Sequence, residues 1–204
     1  MNKLMQVYEL LFERFGKQNW WPVSSNNKEF EVCVGAILTQ NTAWTNVEKA
    51  IKNLKENNLL SKEAIAKVNV KKLANLIRSA GYFNQKAKKL KEFASFDGEV
   101  TRENLLNIWG IGPETADSIL LYAYNRPTFV IDAYTKRIFS RLGRGEKSYE
   151  ELQEMFMKNL PENYRLFNEY HALIVRLAKE HCRTKPECGN CPLNNVCQTG
   201  KLNI

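Results

Sequence analysis

Apolar residues recur three and four positions apart along almost the whole chain. In TAWTNVEKAIKNLKEN, Trp44, Val47, Ile51 and Leu54 fall on one side and lysines and glutamates on the other, the pattern of a helix with one face toward a core. Leu73, Leu76, Ile77 and Ala80 repeat it, and Gly81 stands where a helix end needs a positive φ. Ser148 and Glu151 spell a capping box ahead of Leu152, Met155, Phe156 and Leu160. Across 162–182, the residues Leu166, Phe167, Tyr170, Leu173, Ile174 and Leu177 share one face. Residues 29–38, EFEVCVGAIL, are apolar all round and predict a central buried helix. Only TFVI at 128–131 reads as extended, and it is too short to found a sheet. The pattern predicts an all-α protein with no internal repeat, low-complexity tract or long linker.

One interruption carries chemistry. In WGIGPETA a helix ends near Trp109, Gly110 and Gly112 permit a tight turn, and Pro113 suits the first position of the next helix. Such a turn aims the backbone N–H groups of Gly110, Ile111 and Gly112 outward at a helix start, where a phosphate can dock. The same residues would also serve an ordinary corner between two helices. The 204 residues carry a formal +8, which suits a polyanionic partner such as nucleic acid and equally a merely lysine-rich surface. No run approaches the ~18 apolar residues of a membrane span, and the N-terminus lacks a signal-peptide pattern. A soluble cytoplasmic protein is expected.

The five cysteines are unevenly placed. Cys33 lies in an apolar run and reads as a core thiol. Cys182, Cys188, Cys191 and Cys197 are spaced C-x5-C-x2-C-x5-C, a thiolate set suited to a tetrahedral zinc or a [4Fe–4S] centre in a reducing compartment. Of the two histidines, His181 reads as a helix-end residue, and His171 receives no role.

Taken together, LLNIWGIGPETADSILLYA, the FVIDAYTKRIFSRLG after it and the C-terminal cysteines resemble the endonuclease III superfamily of helix–hairpin–helix DNA glycosylases. GAILTQNT and GYFNQKAKKL extend the resemblance, which covers residues from about 20 to 197. WWP, ILTQNTAW and a glutamate after the hairpin look most similar to the 3-methyladenine DNA glycosylase III branch, although that branch need not carry a cluster. The resemblance implies an all-α, two-lobed fold with DNA across the cleft between lobes. A central domain would span 22–126, with the helix–hairpin–helix at about 105–124. Residues 1–21 and 127–204 would form the second lobe, holding the cysteine loop at 182–197.

The resemblance also implies roles. Asp132 is expected as the principal catalytic carboxylate; locally it reads equally as the cap of the helix it opens. Bifunctional members carry a lysine just after the second hairpin glycine, whose amine attacks the sugar C1′. The matching residue here is Glu114, which cannot form that imine, so water is expected to be the nucleophile. Glu114 itself would act on the flipped base or on water, or only favour the helix dipole. Trp20, Trp21, Pro22 and Trp44 would surround the extruded base, Gln40 would fill the vacated stack, and Tyr82 would wedge beside the orphan base. Gly110, Ile111, Gly112 and Lys86 would meet phosphate. The four cysteines imply a [4Fe–4S] cluster, with zinc as the alternative, although the family's first gap is one residue longer. The cluster would fold the loop that presents Arg183 and Lys185 to phosphate.

The expected function is a monofunctional glycosylase of base excision repair that leaves an abasic site, acting on alkylated purines such as 3-methyladenine. The rivals are a uracil or G:T thymine glycosylase reading its base through Gln40, Asn41 and Asn84, a bifunctional lyase using Lys86 or Lys136, and a non-catalytic lesion-binding protein. The expected partner is double-stranded DNA with a damaged base. No membrane is involved, the protein is expected to be a monomer, and a prokaryotic source would place it at the nucleoid.

Overall fold

The computed structural model describes residues 2–23 and 27–202, and among them every regular element is helical. The helices are α1 (Lys3–Phe15), α2 (Lys28–Leu38), α3 (Trp44–Glu56), α4 (Lys62–Lys67), α5 (Val70–Leu76), α6 (Phe83–Ser95), α7 (Arg102–Leu106), α8 (Pro113–Ser118), α9 (Ala133–Phe139), α10 (Tyr149–Asn159), α11 (Tyr164–Glu180) and α12 (Gln198–Leu202). They pack as two units, one of residues 21–125 and the other of 1–20 with 126–204.

In the unit 21–125, α2 is the axis. Every residue from Phe30 to Leu38 is buried, including Glu31, whose carboxylate meets the Lys55 ammonium at 3.0 Å. A buried carboxylate needs such a partner. Gly35 lets an indole lie on this helix: a Cβ there would stand 2.9 Å from the Trp21 ring. Trp21 then meets Trp44 edge-on at 5.0 Å and Tyr122 at 5.2 Å. Helix α3 turns Val47, Ala50, Ile51 and Leu54 inward. Trp44, its first residue, is only half-buried, so the stripe predicted from sequence begins one turn too early.

The periodicity through Ala80 overstates a helix. Helix α5 stops at Leu76, a 3-10 turn covers Arg78–Ala80, and Gly81 and Tyr82 both take positive φ, 65° and 44°. The apolar spacing persists because Leu73, Ile77 and Ala80 are all buried, which a helix followed by a tighter turn satisfies equally well. Helix α8 passes directly into a wider π-type turn, Ile119–Ala123, all of it buried.

The other unit is organised by α11, with Phe167, Tyr170, Leu173, Ile174 and Leu177 buried. Against it pack α1, through Leu4, Val7, Leu11 and Phe15, and α9. Phe129 stacks on Phe156 at 3.8 Å and meets Tyr170 edge-on at 5.7 Å. Burying each such ring contributes roughly 1.5–3 kcal/mol. Tyr170 is fully buried, and its hydroxyl donates to the Leu4 carbonyl at 2.8 Å. The extended stretch at 128–131 pairs with no strand. Its side chains Phe129, Val130 and Ile131 are buried, and Gln153 donates to the Phe129 carbonyl at 2.7 Å. Ser148 and Glu151 form the capping box that opens α10.

Candidate active site

The hairpin joins α7 to α8. Arg102 donates through Nε (2.8 Å) and a terminal nitrogen (3.2 Å) to the two oxygens of Asp117, a carboxylate with no solvent exposure. This bidentate pair ties the two helices together. Between them Gly110 has φ +84°, and a Cβ there would fall 2.6 Å from the Lys89 side chain, so glycine is required twice over. Gly112 differs: its backbone is extended, at φ −96°, with nothing within 4 Å of where a Cβ would stand. Its lack of a side chain keeps open the space in front of α8, which suits an approaching backbone rather than the fold. Ile111 was expected at a phosphate, but its side chain is buried and its N–H is used by the Ile108 carbonyl at 3.1 Å. Its side chain anchors the turn. Glu114, at the second position of α8, is exposed.

Gln40 is tied to this hairpin. Its amide nitrogen donates to the Gly110 carbonyl (3.1 Å) and to the Thr115 hydroxyl (2.9 Å), and its carbonyl accepts from Lys89 at 2.5 Å. Tyr82 is 70% exposed, in the left-handed region that a bulky residue rarely adopts. Strain of this kind concentrates at sites of function.

The resemblance implies a phosphate contact for Lys86, yet this side chain is 2% exposed. Its ammonium donates to the Leu38 carbonyl (2.8 Å), the Thr42 hydroxyl (2.7 Å) and the Ala80 carbonyl (2.7 Å). Burial, and then the charge of Lys89, push its pKa down to about 8, so at neutral pH it keeps all three donors. Lys86 fastens the end of α2, the QNT loop and the turn before Tyr82 to α6. Neither phosphate nor a sugar C1′ can reach it.

Of the expected base-pocket residues, Trp21, Pro22 and Trp44 come together in the unit 21–125. Trp21 contacts Trp44, while Pro22 and Trp44 line an open cavity of about 370 Å³ with Glu31, Glu48, Lys52 and Lys55. The Trp44 indole N–H donates to Glu48 at 2.8 Å. Trp20, half-buried, is the last residue of the other unit's first segment. Glu48 was missed because, at this spacing, it reads as one more solvated charge on an amphipathic helix.

In the other unit, Asp132 caps α9. One oxygen accepts from the Thr135 N–H (2.7 Å) and hydroxyl (2.8 Å). The other lies 3.6 Å from Nε2 of His171. Burial pushes the Asp132 carboxyl up, but the His171 charge and the hydrogen bonds from His171 and Thr135 outweigh it and hold the group below its ordinary value. Linkage then has a fixed sign: the ionised carboxylate stabilises the fold above the usual carboxylate range, and that contribution is lost as pH falls through the lowered pKa.

Cys182, Cys188, Cys191 and Cys197 are free of disulfides and line one small cavity, with Arg141 at its edge. Arg141 donates to the Cys182 sulfur at 3.2 Å and to the carbonyls of Arg183 and Thr184. Arg137 holds the Cys182 carbonyl at 2.9 Å. The shorter first gap therefore still delivers Cys182 to the other three. Burial pushes the Cys191 thiol up to about 11. Among the described residues no group of three or more His, Cys, Asp or Glu is arranged to hold a metal ion. Four thiols around one cavity are the donor set of a cubane, which takes one thiolate per iron. Arg183, expected at phosphate, is engaged with Glu187 at 3.0 Å. Cys33 is a buried core thiol that burial raises well above its ordinary pKa.

Two glycine-broken helices, a capped aspartate after them and a C-terminal four-cysteine loop define a helix–hairpin–helix glycosylase. Residues 34–162 match the HhH-GPD superfamily of base excision DNA repair proteins, and the chain belongs to that family. It is 48% identical over 212 residues to a candidate DNA repair glycosylase of Methanocaldococcus jannaschii, covering 95% of each chain. An endonuclease III of Thermotoga maritima is 32% identical, over 85% of each chain. The H. pylori 3-methyladenine DNA glycosylase (MagIII) bound to 1,N6-ethenoadenine superposes with a TM-score of 0.77 at 31% identity, over 88% of this chain and 98% of that one. The protein is a DNA glycosylase of base excision repair. No helix among the described residues is long and apolar enough to cross a membrane.

Proposed function

We propose that this glycosylase is monofunctional: it flips an alkylated purine out of the duplex and hydrolyses its N-glycosidic bond, leaving an abasic site. Glu114 carries the proposal. It is exposed at the start of α8, directly after Gly112 and Pro113, where the resemblance requires the lysine of a lyase. A carboxylate there cannot form a Schiff base, and Lys86 is buried and bonded at three points. Glu114 instead acts on the flipped base or on water.

In the hydrolysis, the bond from C1′ to the base nitrogen breaks with its electron pair leaving on the base. The sugar gains oxocarbenium character, which the Asp132 carboxylate stabilises. Water attacks C1′ and gives its proton to Asp132. The purine preference is supported by the Trp44 ring in the wall of the cavity, where Glu31 and Glu48 stand beside Lys52 and Lys55. An aromatic face suits a cationic planar base, whose glycosidic bond is already weak. The likeness to an enzyme named for 3-methyladenine agrees with this. Tyr82 would wedge into the opened duplex. Gln40 would fill the gap, leaving its three bonds at the hairpin to do so. Gly110 and Gly112 would admit the phosphates. Cys182, Cys188, Cys191 and Cys197 would hold a [4Fe–4S] cluster, which would supply structure to the loop rather than chemistry to the reaction.

Borohydride trapping tests the proposal. The wild-type protein should give no covalent complex with an abasic duplex, whereas Glu114→Lys should give a trapped product by supplying the missing amine. A wild-type adduct would overturn the monofunctional assignment.

A further inference from the structure

The two oxygens of Asp132 have separate partners. Oδ1 is held by the N–H and hydroxyl of Thr135 at 2.7 and 2.8 Å, which is what the helix cap requires. Oδ2 is not part of the cap and faces Nε2 of His171 at 3.6 Å, with the two side chains only 13% and 9% exposed. His171 stands in the buried face of α11 between Tyr170 and Leu173. A polar ring among apolar neighbours costs desolvation that a carboxylate opposite it offsets.

The other charged groups on the surrounding helices are directed elsewhere. On α9, Lys136 lies over the Tyr149 ring at 6.0 Å, and Arg137 donates to the Cys182 carbonyl at 2.9 Å. On α11, Glu169 accepts from the Gln18 N–H and Arg176 pairs with Glu180. On α1, Tyr8 packs edge-on against Tyr170. His171 is the charged or titratable side chain these helices bring to Asp132.

We propose that His171 is the positioning residue of the catalytic carboxylate, fixing Oδ2 while the helix cap fixes Oδ1. This deepens the hydrolytic mechanism above and rests on Asp132 being its anion. With Oδ1 pinned twice, rotation of the carboxylate plane is the freedom left, and the imidazole removes it. A separation of 3.6 Å leaves the Oδ2 lone pairs available to water or to the developing sugar cation. His171 and the Thr135 hydrogen bonds together hold the buried Asp132 carboxyl below its ordinary value, against the effect of burial.

The test is the pH profile of single-turnover base excision on the protein's best alkylated-purine duplex, for wild type, His171→Gln and His171→Phe. Both variants should move the acid limb up by about one pH unit and lower the neutral-pH rate about tenfold, with substrate affinity unchanged. A merely structural histidine would lower the rate by the unfolded fraction alone and leave the limb in place, which would overturn the proposal. Should neither variant fold, NMR of wild type decides: contacts between the His171 ring and the Asp132 side chain, with an Asp132 carboxyl titrating below its ordinary value, support the pairing, and a ring turned away from a carboxyl of ordinary value would refute it. Asp132→Asn separates the two levels. If it stays active, the Asp132 mechanism fails; if it is inactive while His171→Gln keeps the wild-type profile, only the role of His171 fails.

Discussion

Asp132→Asn is expected to lower base excision by about a thousandfold while leaving duplex binding nearly unchanged, and to lower thermal stability only by what the ionised carboxylate contributes opposite His171. The substitution separates the two duties of the side chain. Asparagine caps helices about as well as aspartate, and its oxygen can still accept from the Thr135 N–H and hydroxyl that Asp132 Oδ1 now uses. What it loses is the negative charge, and with it the stabilisation of an oxocarbenium-like sugar and the base for water. Asp132→Ala would lose the cap as well, at a cost of ~1 kcal/mol, so the asparagine variant is the cleaner one. Single-turnover excision, read beside a melting curve and a binding isotherm, checks the prediction. A variant with wild-type turnover would make Asp132 a cap only and leave the family's chemistry to another residue.

Lys86→Met should produce the largest loss of stability among the site-region substitutions, about 3 kcal/mol. Its methylene stem is replaced by a similar apolar one, but the Leu38 carbonyl and the Thr42 hydroxyl lose the ammonium, and the Ala80 carbonyl keeps only the Thr42 hydroxyl as donor. For a chain of this size the melting temperature should fall by roughly 6–12 °C. The slope of log binding constant against log salt should stay as in wild type. A lysine on phosphate predicts the reverse: an unchanged melting temperature and a salt slope smaller by about one. Binding would still weaken indirectly, because the loop carrying Gln40 and the turn carrying Tyr82 share this one ammonium.

Lys86 also shows where sequence stops being informative. In KAKKLKE it is one of several lysines on an amphipathic helix. Burial is a property of the whole helix packing, and the carbonyls it serves lie 48 and 6 residues away in sequence. His171 is 39 positions from Asp132, and only folding α11 against α9 joins them. Features set by near neighbours are legible in the sequence. The capping box at Ser148, the glycine turn with Pro113, and Asp132 as an opening cap are each set within a few residues. The helical class followed from periodicity for the same reason. Element ends proved harder where a 3-10 turn continues the apolar spacing of α5. A hairpin motif names positions without saying which N–H the turn itself uses, as that of Ile111 is used by the Ile108 carbonyl. The four cysteines were legible as a set, while Arg141, which donates to the Cys182 sulfur, comes from a segment about 40 residues earlier.

The most direct test of the central claim is excision from labelled duplexes carrying an N3- or N7-methylpurine, uracil or thymine opposite guanine, 8-oxoguanine or thymine glycol, each resolved with and without hot alkali. Hydrolysis at a pocket for cationic purines predicts strand breaks at the methylpurine, and only after alkali. Breaks that form without alkali, or only at the pyrimidine lesions, would contradict it.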